Sequence, residues 1–261
     1  MEAKSGDYSF LERKKKIQDL LEQNGSAKIG ELSGVLAVSE ITVRRDLDRL
    51  EAEGLLVRTH GGALRREPTL FELFDEKRVK EMGPEKRRIG QSAAAMVKRG
   101  DAVFLDSGTT TLYIARALKA VPGITIVTNS IYILAELRFA KDLNLILLGG
   151  TYRPGDYALS GPITERNLDT FRAKTAFLGA DGVTVKNGAT TNDIYTAEVT
   201  KLMMARAETS VLVADHTKIG QVGSIKYAEV GDFDLLITDK DTGHEDFLAL
   251  RQAEIEIKEA E

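Results

Sequence analysis

The 261-residue chain contains no cysteine and no long hydrophobic run. Without cysteine it can form neither a disulfide framework nor a Cys-ligated zinc site, and this composition is typical of a reducing compartment. No run of 18 apolar residues is present to span a bilayer, and Met1 to Lys16 lacks the apolar core of a signal peptide. We therefore expect a cytoplasmic protein with no membrane partner.

An excess of positive charge is also missing, since 36 Lys and Arg stand against 40 Asp and Glu for a net charge of −4. DNA-binding domains are usually basic, so this total argues against a nucleic-acid partner. The total misleads, however, because residues 1–66 carry a net charge of +1 and the rest of the chain −5. The length fits one large domain or two unequal ones, and the difference in charge is a reason to consider the two parts separately.

Residues 1–66 contain three apolar stripes at helical spacing, followed by two short apolar runs around a Gly-Gly turn. The predicted helices run from Leu11 to Gln23, from Ile29 to Leu36, and from an N-cap at Ser39 to Gly54. The runs Leu55–Arg58 and Ala63–Arg65 indicate a hairpin. Three helices followed by a hairpin predict a winged helix-turn-helix.

The third predicted helix has a polar side that suits a DNA major groove. Val43, Leu47 and Leu50 mark its buried side, and a recognition helix inserts its first turns into the groove. Arginine there can pair with guanine or hold phosphate. A solvated face paired with acidic neighbours is the alternative reading of Arg44 and Arg45. The predicted DNA contacts are Ser39, Thr42, Arg44, Arg45, Arg49, Arg58, His60 and Gly61.

After residue 100, apolar runs alternate with helical stretches. Such runs are apolar on both faces, which predicts a mostly parallel sheet covered by helices on both sides. The predicted strands are Ala102–Leu105, Ile124–Val127, Leu143–Leu148, Ala176–Leu178, Val211–Ala214 and Leu235–Thr238. We expect a winged helix-turn-helix domain over 1–66, a linker helix over 67–84, and a larger α/β ligand-binding domain over 85–261.

The segment Asp106–Thr111 follows the first of these strands and opens a helix. One glycine and four hydroxyl residues at a helix N-terminus can cradle a phosphate through N–H groups, hydroxyls and the helix dipole. No Gly-Lys-Ser/Thr follows, so the segment is not a Walker loop. An ordinary turn capped by Ser or Thr would have the same sequence, and that alternative stays open.

Other polar residues follow other predicted strands. They are Asn129, Ser130, Asp181, Asp215, His216 and Lys218. Each alone is typical of a cap or a turn, but at one edge of one sheet they favour a polar, anionic ligand. The ammonium group of Lys218 suits a phosphate, and Asp and Asn suit sugar hydroxyls. His60, His216 and His244 show no metal-ligand spacing, so neither a metal nor a cofactor is predicted.

Two stretches of the N-terminal part, Val38 to Leu47 and Arg58 to Ala63, resemble the signature of the DeoR family of bacterial transcriptional repressors. One position departs from it, because Ile41 stands where the family usually has a polar residue. Ile41 would either touch a thymine methyl in the groove or add to the core.

The C-terminal part resembles the sensor domain of the same family, which is similar to ribose-5-phosphate isomerase. The matching stretches are Asp106–Thr111, Thr128–Ser130, Gly149–Pro154, Gly179–Val183, Asn187–Thr191, Glu198 and Ala214–Lys218. The resemblance implies a phosphorylated sugar effector that changes operator affinity, release from DNA being the family's usual sense. The predicted effector contacts are Asp106, Ser107, Gly108, Thr109, Thr110, Thr111, Asn129, Ser130, Asp181, Glu198, Asp215 and Lys218.

A working sugar-phosphate isomerase is the main alternative, with Asp181, Lys186 and Glu198 as candidate acid–base residues. The isomerase pattern has a second Asp three residues before Asp181 and an acid just after it, where this chain has Leu178 and Gly182. We therefore expect binding without turnover. A winged helix that meets a protein instead of DNA is the other alternative. Because one winged helix reads few bases, we expect a homodimer or homotetramer on double-stranded operator DNA.

Overall fold

A computed structural model describes residues 8–52, 55–65, 77–240, 243, 245–253 and 255–261. The chain divides into two compact units, Met1–Glu72 and Leu73–Glu261. Most of the predicted linker helix, together with Gly54 and His244, lies outside the described residues.

The first unit is a winged helix-turn-helix. Its elements are α1 (Phe10–Asn24), β1 (Ser26–Lys28), α2 (Ile29–Leu36), α3 (Glu40–Ala52), β2 (Leu56–Thr59) and β3 (Gly62–Arg65). The three strands form an antiparallel sheet in the order β1-β3-β2. The three predicted helices and the hairpin are thus confirmed, and β1 is an additional strand that the sequence pattern did not indicate.

Local sequence explains where these helices begin and end. Ser9 and Glu12 form a capping box at the start of α1, and Gly25 ends that helix in the left-handed conformation with φ of 72°. Apolar side chains from all three helices are buried together. An ion pair of 2.6 Å between Arg13 Nε and Asp46 Oδ2 joins α1 to α3.

The second unit is built on a seven-stranded sheet. Its strands are β4 (Ala102–Leu105), β5 (Thr125–Thr128), β6 (Asn144–Leu147), β7 (Thr151–Arg153), β8 (Ala158–Ser160), β9 (Ala173–Gly179), β10 (Gly182–Thr184), β11 (Gly188–Thr191), β12 (Ala207–Val213), β13 (Ile225–Ala228), β14 (Leu235–Thr238) and β15 (Glu256–Glu259). Seven of them pair in parallel in the order β15-β14-β12-β9-β4-β5-β6. The six predicted strands all lie in this sheet, which confirms the mostly parallel α/β domain.

Helices cover both faces of the sheet. They are α4 (Lys77–Lys80), α5 (Gly83–Ala94), α6 (Thr109–Leu118), α7 (Ile131–Leu137), α8 (Pro162–Leu168), α9 (Ile194–Ala205) and α10 (Glu245–Gln252). Val103 and Leu105 of β4 are buried with α5, α6 and α7, whereas Phe104 between them is buried with α8, α9 and α10. This alternation explains why each strand is apolar on both sides.

The strand order reverses between β4 and β9, which are neighbours at the centre of the sheet. From β4 the chain adds β5 and β6 on one side, and from β9 it adds β12, β14 and β15 on the other. In doubly wound sheets such a switch point opens a crevice at the carboxyl ends of the two strands, where ligands bind. Near this crevice lie a hairpin of β7 and β8 and a small antiparallel sheet in the order β10-β11-β13.

The two outer strands of the parallel sheet differ in character. At one edge, β15 has the sequence Glu-Ile-Lys-Glu, and three of its four side chains are charged. At the other edge, β6 has the sequence Asn-Leu-Ile-Leu, and its three apolar residues are only partly buried.

Candidate functional site

The start of α3 presents polar and apolar side chains to solvent. Ser39 caps the helix, because Thr42 donates its backbone N–H to Ser39 Oγ at 3.2 Å. Ile41 is 67% exposed. Of the two positions predicted for it, the one in the core is therefore excluded. Arg44 pairs with Glu40 at 3.7 Å. Arg45 is exposed and has no ion-pair partner among the residues that the structure describes.

Two other predicted DNA contacts hold the unit together. The guanidinium of Arg49 lies 3.9 Å from the centre of the Phe10 ring. Arg58 pairs with Asp48 at 3.0 Å and donates to the backbone oxygen of Gly62 at 3.0 Å, so it ties the hairpin to α3. The turn between β2 and β3 carries His60 and Gly61, both exposed.

In the second unit, a cleft opens at the carboxyl ends of β4 and β9, at the switch point of the sheet. Seven of the predicted effector contacts line it together: Asp106, Ser107, Gly108, Thr109, Thr110, Asp181 and Lys218. The remaining five, Thr111, Asn129, Ser130, Glu198 and Asp215, lie outside this lining.

The N-terminus of α6 forms one wall of the cleft. Its N-cap is Gly108, and no side chain caps the helix. Thr111 turns inward instead and donates to Asp106 Oδ1 at 2.8 Å. Within the described residues, no Ser or Thr side chain caps this turn, so the first N–H groups of α6 can face an anion.

Asp106 lies beneath this wall and joins the two central strands. Its carboxylate accepts hydrogen bonds from the backbone N–H groups of Gly108 and Gly179. Burial raises the pKa of Asp106 above its ordinary value, although these hydrogen bonds favour the charged form, and nearby Asp181 raises it further. Asp106 therefore organises the loop from underneath.

Two lysines line the same cleft. Lys218 follows β12 in a short 3-10 turn, is half-buried, and makes no ion pair within the described part of the chain. Lys86 of α5 is 5% exposed and donates from Nζ to the backbone oxygen of Glu81 at 2.8 Å. Sequence reasoning missed Lys86 inside a charged run, although its spacing from Ile89 and Ala93 places it on the buried side of α5.

The hairpin of β7 and β8 forms another wall of the cleft, which its tip residues Gly155, Asp156 and Tyr157 line. Asp156 Oδ2 accepts a hydrogen bond of 3.4 Å from Thr196 Oγ1 at the start of α9. Asn129 anchors the hairpin by donating from Nδ2 to the backbone oxygen of Leu159 at 2.9 Å. It thus shapes the cleft from outside its lining.

The remaining predicted contacts have local partners. Ser130 caps α7 by accepting from the N–H of Ile133 at 3.3 Å. Asp215 caps the turn that carries Lys218 by accepting from the N–H of Thr217 at 3.1 Å. Glu198 is exposed on α9 and pairs with Lys201 at 3.0 Å.

Neither a membrane span nor a metal centre is found in the described ranges. None of the described helices is both long enough and apolar enough to cross a bilayer. No group of three His, Asp or Glu side chains there is arranged to hold a metal ion.

A winged helix-turn-helix followed by an α/β unit with a polar cleft is the architecture of a ligand-sensing DNA-binding regulator. Residues 13–69 match the DeoR-like helix-turn-helix domain, and residues 81–240 match the DeoR C terminal sensor domain. The chain belongs to the DeoR family, and it is a helix-turn-helix transcriptional regulator with a C-terminal sensor domain.

Relatives along nearly the full chain have matching descriptions. The HTH-type transcriptional regulator GolR of Listeria innocua is 32% identical over 96% of this chain and 99% of its own length. The lactose phosphotransferase system repressor of Lactococcus lactis is 36% identical over 87% of this chain and 90% of its own. Among solved structures, ribose 5-phosphate isomerase A of Methanocaldococcus jannaschii is 17% identical with a TM-score of 0.39, covering 52% of this chain and 54% of that one.

Proposed function

We propose that this protein represses a sugar-metabolism operon and leaves its operator when a phosphorylated sugar enters the cleft. The observation that carries the proposal is the pairing of an uncapped helix N-terminus with Lys218 in one cleft. Free N–H groups, a helix dipole and an ammonium group together suit a phosphate. The names of relatives such as the lactose phosphotransferase system repressor support the sugar operon.

In this proposal α3 reads the operator. Thr42, Arg44 and Arg45 contact base edges or phosphates from the first turns of the helix, and Ile41 supplies an apolar contact to a thymine methyl. His60 and Gly61 approach the backbone from the wing turn. Ser39, Arg49 and Arg58 act by holding α3 and the wing in shape.

The effector occupies the switch-point cleft. Its phosphate lies at the start of α6, where Ser107, Thr109 and Thr110 offer hydroxyls and N–H groups. Lys218 and Lys86 supply positive charge. The sugar hydroxyls meet Asp181, whose Oδ2 accepts from Asn192 N–H at 3.0 Å.

Binding without turnover is part of the proposal. Aldose–ketose isomerisation needs a base and an electrophile close to one carbon pair. Of the three candidate acid–base residues, Asp181 lines the cleft, whereas Glu198 and Lys186 are exposed outside the lining. Turnover of ribose 5-phosphate that depends on Glu198 in a spectrophotometric assay would contradict this.

We further propose that the active species is a homodimer or homotetramer in the cytoplasm, the compartment that holds operator DNA. Two recognition helices read enough base pairs to find one site, and one reads too few. Analytical ultracentrifugation with and without DNA measures how many copies of the chain assemble.

The proposal also includes the domain limits 1–66, 67–84 and 85–261.

Two substitutions test the proposal in opposite directions. With DNA from upstream of the encoding gene as the probe, we expect Arg45→Ala to weaken binding by about 1–3 kcal/mol, which is about 5- to 150-fold, and to leave effector binding unchanged. Lys218→Ala should instead abolish the response to sugar phosphate and keep DNA binding. Arg172→Ala and Lys201→Ala, which remove exposed charges elsewhere, are the matched controls.

Salt dependence separates DNA binding from the protein-partner alternative. Phosphate contacts predict that log K falls linearly as log salt concentration rises. If the Arg45→Ala variant bound the upstream DNA as tightly as wild type, the assignment of α3 as the recognition helix would be wrong. The absence of binding to any upstream fragment at any salt concentration would favour a protein partner for the winged helix.

A further inference from the structure

We infer that Asp239 is a positioning residue for the phosphate site, because its buried carboxylate acts through His216 to hold the turn that carries Lys218. Neither Asp239 nor His216 lines the cleft. The inference rests on the proposed function, since it states how the proposed phosphate contact of Lys218 is set in place.

The pairing of two parallel strands brings Asp239 to this turn. Val213 of β12 pairs with Ile237 of β14. The turn His216–Lys218 follows β12, and Asp239 directly follows the last residue of β14. Because the two strands run in the same direction, both segments leave the sheet at one edge, and the side chain of Asp239 reaches the first residue of the turn.

Asp239 holds His216 at two points. Its Oδ1 accepts a hydrogen bond of 2.7 Å from the backbone N–H of His216, and its Oδ2 lies 2.8 Å from Nδ1 of the ring. A carboxylate accepts hydrogen bonds and donates none, so Nδ1 carries the proton in this pair. The two bonds fix the backbone of the turn and the orientation of the ring, two residues before Lys218.

Burial strengthens this attachment. The side chain of Asp239 is fully buried, whereas that of His216 is partly exposed. Water therefore does not compete for the carboxylate, and hydrogen bonds to a charged acceptor are strong in such surroundings. Arg88 Nη2 on α5 lies 3.8 Å from Asp239 Oδ2 and offsets part of the buried charge.

The chain is also attached on the other side of Lys218. Gly220 donates its backbone N–H to the backbone oxygen of Val183 in β10 at 2.9 Å. The segment from His216 to Gly220 is thus tied to β14 before Lys218 and to the small antiparallel sheet after it. Loss of the attachment at Asp239 would free one end of this segment and move the ammonium group relative to the start of α6.

The test is isothermal titration calorimetry on the full chain with ribose 5-phosphate, glucose 6-phosphate, fructose 6-phosphate and inorganic phosphate. The probe for the variants is whichever of the four wild type binds most tightly. We expect Asp239→Ala to weaken binding of this probe about tenfold or more, as the loss of an outer partner that orients a binding group does. Asp239→Ala should also speed hydrogen exchange in peptides that contain His216 to Gly220.

A matched pair of substitutions at His216 tests the route. Asparagine and leucine have nearly the same shape, but only asparagine has an N–H group that can replace Nδ1 as the donor to Asp239. We expect His216→Asn to bind the probe within about threefold of wild type and His216→Leu to bind it at least about fivefold more weakly. Because His216 is partly exposed, this pair decides the question even if Asp239→Ala does not fold.

Asp234→Ala is the matched control for general damage. Asp234 lies at the opposite end of β14, and its Oδ2 accepts a hydrogen bond of 2.7 Å from the backbone N–H of Ser210. This variant loses a comparable hydrogen bond, and its affinity for the probe should equal that of wild type.

Wild-type affinity in either Asp239→Ala or His216→Leu would overturn the inference while the phosphate site stands. Equal losses in His216→Asn and His216→Leu would also overturn it, because the hydrogen bond to Asp239 would then not be the cause. If wild type binds none of the four probes, or if Lys218→Ala binds as tightly as wild type, the proposed phosphate site fails and the inference fails with it.

Discussion

Asn129 and Leu159 exchange two hydrogen bonds of 2.9 Å, one from Asn129 Nδ2 to the backbone oxygen of Leu159 and one from the N–H of Leu159 to the backbone oxygen of Asn129. They connect the carboxyl end of β5 to the hairpin whose tip lines the cleft. The buried side chain of Asn129 therefore holds one wall of the cleft in place, although Asn129 itself does not line the cleft.

Asn129→Ala removes the side-chain half of this connection. Because the oxygen of Leu159 loses its partner, we expect a loss of about 1–3 kcal/mol in the free energy of unfolding. We also expect weaker binding of whichever monophosphate wild type binds best. Chemical denaturation and calorimetry measure the two effects. Asn144→Ala, at an exposed position of β6, should change neither, and tight binding by Asn129→Ala would contradict the anchoring role.

The buried Asp106 predicts an unusual dependence of stability on pH. Burial raises its pKa in the folded chain, so the folded chain binds a proton there more readily than the unfolded chain, whose aspartates titrate near about 3.9. The stability that this group contributes is therefore present below the unfolded pKa and is lost as the pH rises through the raised folded pKa. We expect the free energy of unfolding of wild type, relative to Asp106→Asn, to increase as the pH is lowered.

Glu136 should give the opposite dependence of the free energy of unfolding on pH. Burial alone would raise its pKa, but hydrogen bonds from Lys119 and Arg116 lower it below the ordinary value. Its contribution is present above the unfolded pKa and disappears as the pH falls through the folded one. Wild type relative to Glu136→Gln should thus lose stability on acidification. Parallel curves for the two variants would contradict at least one of the two assignments.

The two neighbouring glycines of the wing turn, Gly61 and Gly62, should differ in how well they tolerate substitution by alanine. A Cβ at Gly62 would overlap the backbone oxygen of Ala27, whereas a Cβ at Gly61 would meet nothing. We expect Gly62→Ala to separate β1 from β3 and to destabilise the unit by about 3 kcal/mol. Hydrogen exchange of peptides from β1 and β3 would report the change. Gly61→Ala should exchange like wild type, and equal protection in both variants would disprove the close approach.

Arg13 and Asp46 form a largely buried ion pair between α1 and α3, with Asp46 6% exposed. Arg13→Ala leaves that carboxylate without its cation, which predicts a loss of about 3 kcal/mol in stability. Thermal unfolding of the full chain measures the loss. Lys15→Ala, an exposed substitution on the same helix, should stay within about 0.5 kcal/mol of wild type.

Strong periodic patterns made much of the fold predictable. The apolar stripes gave α1, α2 and α3 nearly to their ends, and the runs apolar on both sides gave six of the seven parallel strands. Seven strands were missed. Four of them, β1, β7, β8 and β10, have three residues each, and β11, β13 and β15 have four residues of mixed polarity, so no long apolar run marks any of them. Tertiary pairing forms them, and single-sequence patterns carry little of that information.

The site was partly predictable for a related reason. Strand ends in a parallel sheet converge, so Asp106, Asp181 and Lys218 line one cleft as the pattern indicates. Asp156 and Thr196 could not be predicted, because they meet through the β7–β8 hairpin and the start of α9. Glu198, placed by resemblance alone, faces solvent instead.

The unequal edges of the parallel sheet bear on how the molecule avoids aggregation. Charged side chains on β15 discourage another strand from adding there, whereas β6 has no charged side chain to give that protection. Two copies that joined through β6 in an isologous contact would use up that edge, and growth would stop at two because β15 resists a further addition. Sheet extension is thus expected to end in a closed pair and not in a fibre.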